Sequence, residues 1–188
     1  MKNKFKIPEE VKQISFALAQ AGFENYLVGG CVRDLLLGRI PKDWDITTRA
    51  TPEEIIKIFP HTFYENEFGT VGVVSDEAKD EKVKTVEVTP FRLESKYSDF
   101  RHPDKVKWGK TLEDDLARRD FTMNAVALEV GRHSVSLRST PSVEETLKLI
   151  DPFGGIKDIE KKIIRTVGKP EERFAEDALR MLRALRLA

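Results

Sequence analysis

The chain has 188 residues, of which 40% are hydrophobic and 34% are charged, and its 32 basic residues balance its 32 acidic ones. This length suits one substantial domain, or one domain and the beginning of another. The balanced charge excludes a global positive field for nucleic acid, so any such attraction has to come from local clusters. A single cysteine, Cys31, excludes an intramolecular disulfide and favours a reducing compartment, where it is expected to be a buried packing residue.

Targeting and membrane signals are missing from the sequence. The N-terminus has no apolar run that would make a signal peptide, and no stretch approaches the roughly 20 residues that span a bilayer. The three histidines, His61, His102 and His133, lack metal-ligand spacing, which argues against zinc. We therefore expect a cytoplasmic protein without a zinc site.

The first predicted helix covers residues 8–21, which carry apolar side chains at helical spacing between Pro8 and Gly22. Residues 26–28 then predict a short strand, Gly29 and Gly30 a tight turn, and residues 31–37 a helix of about two turns. The two glycines let a phosphate approach the backbone at the helix N-terminus, where free N–H groups favour anions. Arg33, one turn further on, adds a cation for the same anion.

An acidic pair follows this turn. The sequence predicts a strand from Asp43 to Ile46, and alternation in that strand directs Asp43 and Asp45 to one face and Trp44 to the core. Two neighbouring carboxylates repel each other unless a cation lies between them. Hard divalent ions such as Mg²⁺ take oxygen ligands of this kind, and a pair of metals can serve phosphoryl or nucleotidyl transfer.

The next predicted elements are a helix and a hairpin. Thr51 and Glu54 form a capping pattern, and the buried face of the helix is predicted from Ile55, Ile56 and Phe59. Residues 70–75 and 83–91 predict the hairpin. Alternation in the second strand directs Val86 and Val88 to one face and Glu87 to the polar face, where it is either an exposed glutamate or a third acid of a metal site.

The second half of the chain mixes loops and helices. Residues 92–108 predict a mobile surface loop, and residues 111–128 begin with a helix cap at Thr111 and continue at near-helical intervals. Residues 131–149 predict a surface insertion, and residues 156–164 a short amphipathic helix. The last predicted helix covers residues 170–188, in which Asp177 and Arg180 are neighbours that can contact one ligand together.

Four of these segments resemble one family in the same order. GGCVRDLLLG with KDWDITT, VEVTPFR, RRDFTMNA and EDALR are similar to the motifs of class II tRNA nucleotidyltransferases and bacterial poly(A) polymerases, within the DNA polymerase β-like nucleotidyltransferases. The resemblance implies an α/β head with a mixed sheet flanked by helices, carrying its acids on one face. It also implies a head over residues 1–168 and the first helix of a neck over residues 169–188, with the remaining neck, body and tail absent.

The resemblance assigns a role to each matching residue. Asp43 and Asp45 become ligands of catalytic Mg²⁺, and Glu87 a third catalytic acid. The nucleotide-binding residues are Gly29, Gly30, Arg33, Arg119, Asp120, Asn124, Glu176, Asp177 and Arg180. We interpret Arg118, in contrast, as a solvated charge on the helix.

The implied activity is transfer of C and A from CTP and ATP to the 3′ end of tRNA, with release of pyrophosphate. NEFGTVGVV lacks the glycine-basic-basic-phenylalanine segment typical of the poly(A) polymerase branch, which favours tRNA as substrate. Three alternatives stay open: poly(A) polymerase, an enzyme that adds only CC or only A, and a non-catalytic module that binds RNA or nucleotide. The sequence leaves the oligomeric state open.

Overall fold

The computed structural model of the chain describes residues 5–64, 69–76, 78–93, 107–136 and 141–188. The helices are α1 (Glu9–Gln20), α2 (Gly30–Leu36), α3 (Pro52–Ile58), α4 (Glu81–Lys84), α5 (Leu112–Ala117), α6 (Gly155–Lys161), α7 (Pro170–Glu176) and α8 (Leu179–Leu187). The strands are β1 (Asn25–Val28), β2 (Asp45–Thr48), β3 (Thr62–Tyr64), β4 (Val71–Val74), β5 (Thr85–Pro90), β6 (Arg92–Leu93), β7 (Lys107–Trp108), β8 (Ala127–Ser136) and β9 (Pro141–Ile150).

Seven strands form one mixed sheet in the order β3-β4-β5-β2-β1-β8-β9, and β6 pairs with β7 in a separate ribbon. Strands β2 and β5 run parallel, whereas the other neighbours in the large sheet are antiparallel. The predicted hairpin of β4 and β5 is confirmed. The α/β class with a mixed sheet is therefore confirmed as well.

The main core lies on one face of this sheet. Helices α1, α2 and α3 contribute Val11, Leu18, Val32, Leu35 and Ile55, which pack against Leu27, Ile46, Val71, Val86 and Val88 of the strands. Burial of each such side chain stabilises the fold by about 1.5–3 kcal/mol before entropy is counted. This face is apolar because alternate strand residues point into it, which leaves their neighbours for the opposite face.

The opposite face is shared between a smaller apolar cluster and the acids. Tyr26, Val28, Phe91, Leu116 and Val167 belong to this cluster, and the rings of Tyr26 and Phe91 stack with their centroids 6.4 Å apart. The cluster covers only part of the face. The remaining part carries Asp45 and Glu87, each half-buried.

Two helix starts follow their predicted capping patterns. The side chain of Thr51 accepts a hydrogen bond from the N–H of Glu54, whose carboxylate accepts from the N–H of Thr51. Thr111 and Asp114 exchange the same pair of bonds at α5. The predicted burial of Ile56 is wrong, because this side chain is 37% exposed while Ile55 fills the core.

The predicted helix over residues 111–128 is wrong beyond Ala117. After α5 the chain makes a single 3₁₀ turn at Thr122–Asn124 and enters β8 at Ala127. Backbone pairing explains the break, because Phe121 bridges to Thr166 and the N–H of Thr122 donates to the carbonyl of Arg165. A continuous helix would lose these long-range bonds.

The predicted surface insertion at residues 131–149 has a regular structure. These residues lie mostly in β8 and β9, which form an antiparallel hairpin at the edge of the sheet, with Ala127 paired to Ile150. Residues 137–140 lie outside the described residues, as do residues 94–106 of the predicted mobile loop. In the part of the chain that the structure describes, no helix is long and apolar enough to cross a membrane.

Candidate active site

Asp45 and Glu87 lie side by side on adjacent parallel strands. Asp45 of β2 pairs with Glu87 of β5 in the strand register, so their side chains leave the same face of two neighbouring strands, which in sheets lie about 4.8 Å apart. The ladder continues one residue further back, where the N–H of Glu87 donates to the carbonyl of Trp44 at 3.0 Å. The parallel pairing therefore places two carboxylates together that are 42 positions apart in the sequence.

Asp43 lies outside strand β2, which corrects the predicted strand start. It occupies the bend before β2, because the strand begins at Asp45, and its side chain is exposed. Alternation along a strand therefore does not fix the direction of Asp43. Trp44 is buried in the core as predicted, and Ile46 is buried as well.

Gly29 brings Asp45 and Arg119 into contact with the turn before α2. Its φ is +76°, which L side chains rarely adopt, and a Cβ there would lie 2.9 Å from Nη1 of Arg119 and 3.2 Å from Oδ2 of Asp45. The glycine is required both for the backbone angle and for the space. The cation and the carboxylate thus approach the same turn.

A buried carboxylate, Asp115, holds Arg119 in this position. Its side chain is 0% exposed and accepts from Nη2 of Arg119 at 3.0 Å and from Nε and Nη2 of Arg118 at 2.9 and 2.6 Å. The N–H of Arg92 is a further donor at 3.4 Å. Burial alone would raise the pKa of Asp115, but the two guanidinium groups outweigh it and hold the pKa below its usual value.

The other predicted nucleotide-binding residues form a connected polar network. Nη1 of Arg33 donates to Oδ1 of Asn124 at 2.9 Å, and Nδ2 of Asn124 donates to Oδ1 of Asp120 at 3.0 Å. Oδ2 of Asp120 accepts from Nη1 of Arg183 at 3.3 Å. Gly30 lies beside this network, since a Cβ there would lie 3.7 Å from Nη2 of Arg33. The structure thus brings Arg33, Asn124 and Asp120 together.

Cys31 lies just behind the acids, in the core. Its thiol donates to the carbonyl of Val28 at 3.1 Å and approaches the carbonyl of Asp45 at 3.8 Å. Burial, reinforced by the charge of Asp45, raises the pKa of Cys31 to about 12. A thiol with such a pKa is a poor nucleophile, which agrees with its predicted packing role.

The predicted last helix is wrong as one continuous element. Helix α7 ends at Glu176, Asp177 is extended with φ −142° and ψ 108°, and α8 begins at Leu179. The carboxylate of Asp177 accepts from the N–H of Leu179 at 2.9 Å, in the manner of a residue that starts a helix. Asp177 and Arg180 therefore do not share one continuous helix, but they stay adjacent, because the N–H of Arg180 donates to the carbonyl of Asp177 at 3.1 Å.

Arg180 is 5% exposed despite its charge. Its Nη1 donates to Oε2 of Glu176 at 2.6 Å and to the carbonyl of Arg173 at 3.2 Å. The expected contact between Glu176 and Arg180 is therefore present, across the break between the two helices. Arg173 also donates to the carbonyls of Val167 and Ala117, which fastens α7 to the rest of the protein.

Sequence reasoning missed Asp115 and Arg183, which hold Arg119 and Asp120. The sequence does indicate the pairing of Asp115, because an acid three or four positions before an arginine pairs with it on a helix. The contact of Arg183 with Asp120 joins residues 63 positions apart, and no local pattern indicates it. Arg118, interpreted as solvated, is instead paired with Asp115.

The donor set suits Mg²⁺ with a nucleotide. No group of three or more His, Cys, Asp or Glu side chains among the described residues is arranged to hold a metal unaided. Mg²⁺ differs from zinc here, because it is usually bound by one or two carboxylates together with substrate phosphates and water. Asp45, with Glu87 beside it and Asp43 two positions earlier, provides oxygen ligands of the required kind.

The fold and this site define the head of a DNA polymerase β-like nucleotidyltransferase. The family described as the poly A polymerase head domain matches residues 25–165, and the chain belongs to that family. The resemblance to this family is thereby confirmed, and three of the four motifs lie within the matched residues, whereas EDALR follows them.

Named relatives agree with this family. The CCA-adding enzyme of Geobacillus stearothermophilus is 46% identical over 179 residues, which is 95% of this chain and 39% of the relative. The crystal structure of the Bacillus stearothermophilus CCA-adding enzyme in complex with CTP has a TM-score of 0.73 and 43% identity, covering 99% of this chain and 39% of that one. A CCA-adding enzyme in complex with ATP has a TM-score of 0.66 and 27% identity, with coverages of 95% and 36%. The chain thus spans about two fifths of the length of these proteins.

Proposed function

We propose that this chain carries the catalytic centre of a tRNA nucleotidyltransferase, which adds C and A from CTP and ATP to the 3′ end of tRNA without a template. The observation that carries the proposal is the in-register pairing of Asp45 with Glu87 on one sheet face. The complexes of similar CCA-adding enzymes with CTP and with ATP support these substrates. A cytoplasmic location remains part of the proposal.

In the proposed reaction, the 3′-hydroxyl of the RNA attacks the α-phosphorus of the nucleotide. The new bond joins that oxygen to phosphorus, the bond to the bridging oxygen breaks, and pyrophosphate leaves. Glu87, which lies one strand away from Asp45, orients the attacking hydroxyl and accepts its proton as the new bond forms. Asp43 and Asp45 would hold Mg²⁺, which when bound would stabilise the charge that develops on the phosphate oxygens.

Basic and polar residues around the Gly29 turn bind the triphosphate and the ribose in this proposal. Arg119 lies close to this turn, and its bond to Asp115 holds its guanidinium group in position. The group is therefore oriented before any ligand binds. Gly30 and Arg33 provide the adjoining surface. Asp120 and Asn124, joined to each other, provide hydrogen-bonding groups for the ribose.

In this proposal, the segment where α7 meets α8 selects the base of the incoming nucleotide. Cytosine and adenine each present an amino group that donates to Asp177 and a ring nitrogen that accepts from Arg180. Uracil and guanine present a carbonyl oxygen and a protonated nitrogen there, so both contacts become repulsive. Glu176 holds Arg180 through a bond of 2.6 Å. Residues 169–188 are accordingly the beginning of a base-recognition neck that follows a head over residues 1–168.

The test is single-nucleotide incorporation by the full-length protein. Each labelled nucleoside triphosphate is offered to tRNAs that lack three, two or one of the terminal CCA nucleotides. The proposal expects C on the first two tRNAs, A on the third, and no U or G. Repeated A addition beyond the CCA end would indicate a poly(A) polymerase, and RNA binding without incorporation would indicate a non-catalytic module.

A further inference from the structure

Four residues lie in one row across the sheet. Phe63 of β3 pairs with Gly72 of β4, Gly72 pairs with Glu87 of β5, and Glu87 pairs with Asp45 of β2. Residues directly opposite each other on neighbouring strands point to the same face of a sheet. Phe63 therefore projects from the face that carries the two carboxylates.

The ring of Phe63 leans over Gly72, towards Glu87. A Cβ on Gly72 would lie 2.5 Å from Cζ of this ring and 2.7 and 2.9 Å from its two Cε atoms. Only glycine leaves room for the ring at this point. Since neighbouring strands lie about 4.8 Å apart, the ring ends about one strand spacing from the Glu87 side chain.

Packing against Gly72 accounts for one side of the ring only. Phe63 lies on the edge strand of the sheet and is 46% exposed, whereas Val71 and Val73 of the neighbouring strand point to the opposite face and are buried. The site thus has a large aromatic surface open to solvent at its border. Aromatic surfaces of this kind stack on nucleobases of any identity, because every base has a π-face.

We propose that Phe63 is the stacking platform for the 3′-terminal base of the acceptor RNA. The inference rests on the proposed function, in which the 3′-hydroxyl of that RNA lies at Glu87. A terminal base is joined to its 3′-hydroxyl through a single ribose, so it lies beside Glu87, where the ring of Phe63 is found. The base of the incoming nucleotide lies elsewhere, at Asp177 and Arg180.

This arrangement explains how one site accepts successive RNA ends. The terminal base changes each time a nucleotide is added, so its binding surface has to tolerate different bases. Stacking on a phenylalanine ring meets this condition, whereas hydrogen bonds to base edges would select one base. Phe63 therefore supplies affinity for the RNA end, and selection of the added base stays with the nucleotide site.

Variants of Phe63 separate stacking from packing. Phe63→Leu keeps an apolar side chain over Gly72 but removes the aromatic face, and Phe63→Trp keeps an aromatic face. Tyr64→Ala is the matched control, because Tyr64 is an exposed aromatic on the same strand that points to the other face and reaches Glu53 at 3.5 Å. The full-length protein is assayed for incorporation of A onto tRNA that ends in CC, with KM measured separately for the RNA and for ATP.

We expect Phe63→Leu to raise KM for the RNA about 5-fold or more, as loss of one stacked base predicts, with KM for ATP unchanged. Phe63→Trp and Tyr64→Ala should retain the wild-type KM for the RNA. The inference is overturned if Phe63→Leu keeps the wild-type KM, or if KM rises for ATP and not for the RNA. Failure of the wild-type protein to extend any tRNA would instead contradict the proposed function, which separates the two failures.

Discussion

The centre of the sheet and the C-terminal pair of helices hold their polar residues in different ways. Asp45 and Glu87 are placed by backbone pairing of adjacent strands, and both strands continue into a buried core. Asp177 and Arg180 lie on either side of a break between two short helices, fastened by side-chain bonds. The C-terminal region differs also in its exposed apolar side chains along α8, such as Leu182 and Leu185. The proposed chemistry thus lies on paired strands, and the proposed base selection on a junction of two short helices.

The largest effect is expected from Asp45→Asn, which acts on the strand-paired part of the site. The change keeps the shape of the side chain but removes the proposed metal ligand, which is expected to contribute several kcal/mol in the transition state, so turnover should fall by about 1,000-fold or more. Incorporation of C onto tRNA without its CCA end measures the change. Asp76→Asn, at an exposed acid paired with His61, is the control and should be fully active. Near-normal extension by Asp45→Asn would remove this residue from the site.

Asp115→Asn tests how Arg119 is held beside the acids. The variant leaves Arg118 and Arg119 without their buried anion, and the free energy of unfolding at pH 7 should fall by about 3 kcal/mol. Because the folded pKa of Asp115 is lowered, its contribution is present above the unfolded pKa of about 3.9 and disappears as pH falls through the folded value.

Denaturant unfolding of both proteins between pH 7 and pH 3 measures this contribution. The difference between wild type and Asp115→Asn should shrink towards acid. Asp114→Asn at the neighbouring half-buried acid provides a comparison, in which only the bonds from the N–H groups of Lys110 and Thr111 weaken and a smaller loss is expected. A difference that stays constant with pH would show that the charge of Asp115 is not what stabilises the fold.

Glu87→Gln tests the other acid of the strand pair, which we propose contacts the attacking hydroxyl. We expect turnover to fall by about 100-fold, in the range of proton-transfer and orientation effects, while KM for CTP changes little. Steady-state kinetics with a tRNA lacking CCA separate the two parameters, and Glu129→Gln on a distant strand is the control. Equal loss in kcat and in CTP affinity would place Glu87 in nucleotide binding instead.

The smallest effect is expected in the C-terminal region, from Asp177→Ala. Loss of one charged hydrogen-bond acceptor should reduce the preference for C and A over U and G by about tenfold and weaken use of CTP and ATP. Incorporation of each nucleotide separately gives the preference, and Glu172→Ala on the exposed side of α7 serves as control. An unchanged preference would make Asp177 a helix-starting residue and nothing more.

The sequence predicted those parts of the molecule that depend on short-range rules. The capping pairs of Thr51 with Glu54 and of Thr111 with Asp114 act within one turn. Alternation along a single strand was enough to direct Glu87 away from the core. These rules need no knowledge of distant residues, and the structure confirms them.

The remaining features depend on contacts between distant segments. Pairing of Phe121 with Thr166 ends a helix that local spacing would continue, and the contact of Arg183 with Asp120 joins two segments without a shared pattern. The break at Asp177 follows from a side-chain bond that competes with helical continuation. The parallel register that unites Asp45 with Glu87 is itself long-range, and only the resemblance to a family indicated it beforehand.

Metal binding is the most direct test of the central claim, that strand register builds a metal-dependent nucleotidyl-transfer centre at Asp45 and Glu87. Mn²⁺, a spin-active substitute for Mg²⁺, is titrated into the protein with CTP and without RNA, and bound ion is followed by electron paramagnetic resonance. We predict binding to the wild type, loss of binding in Asp45→Asn, and wild-type binding in Asp76→Asn. Equal binding of Mn²⁺ by wild type and Asp45→Asn would contradict the claim.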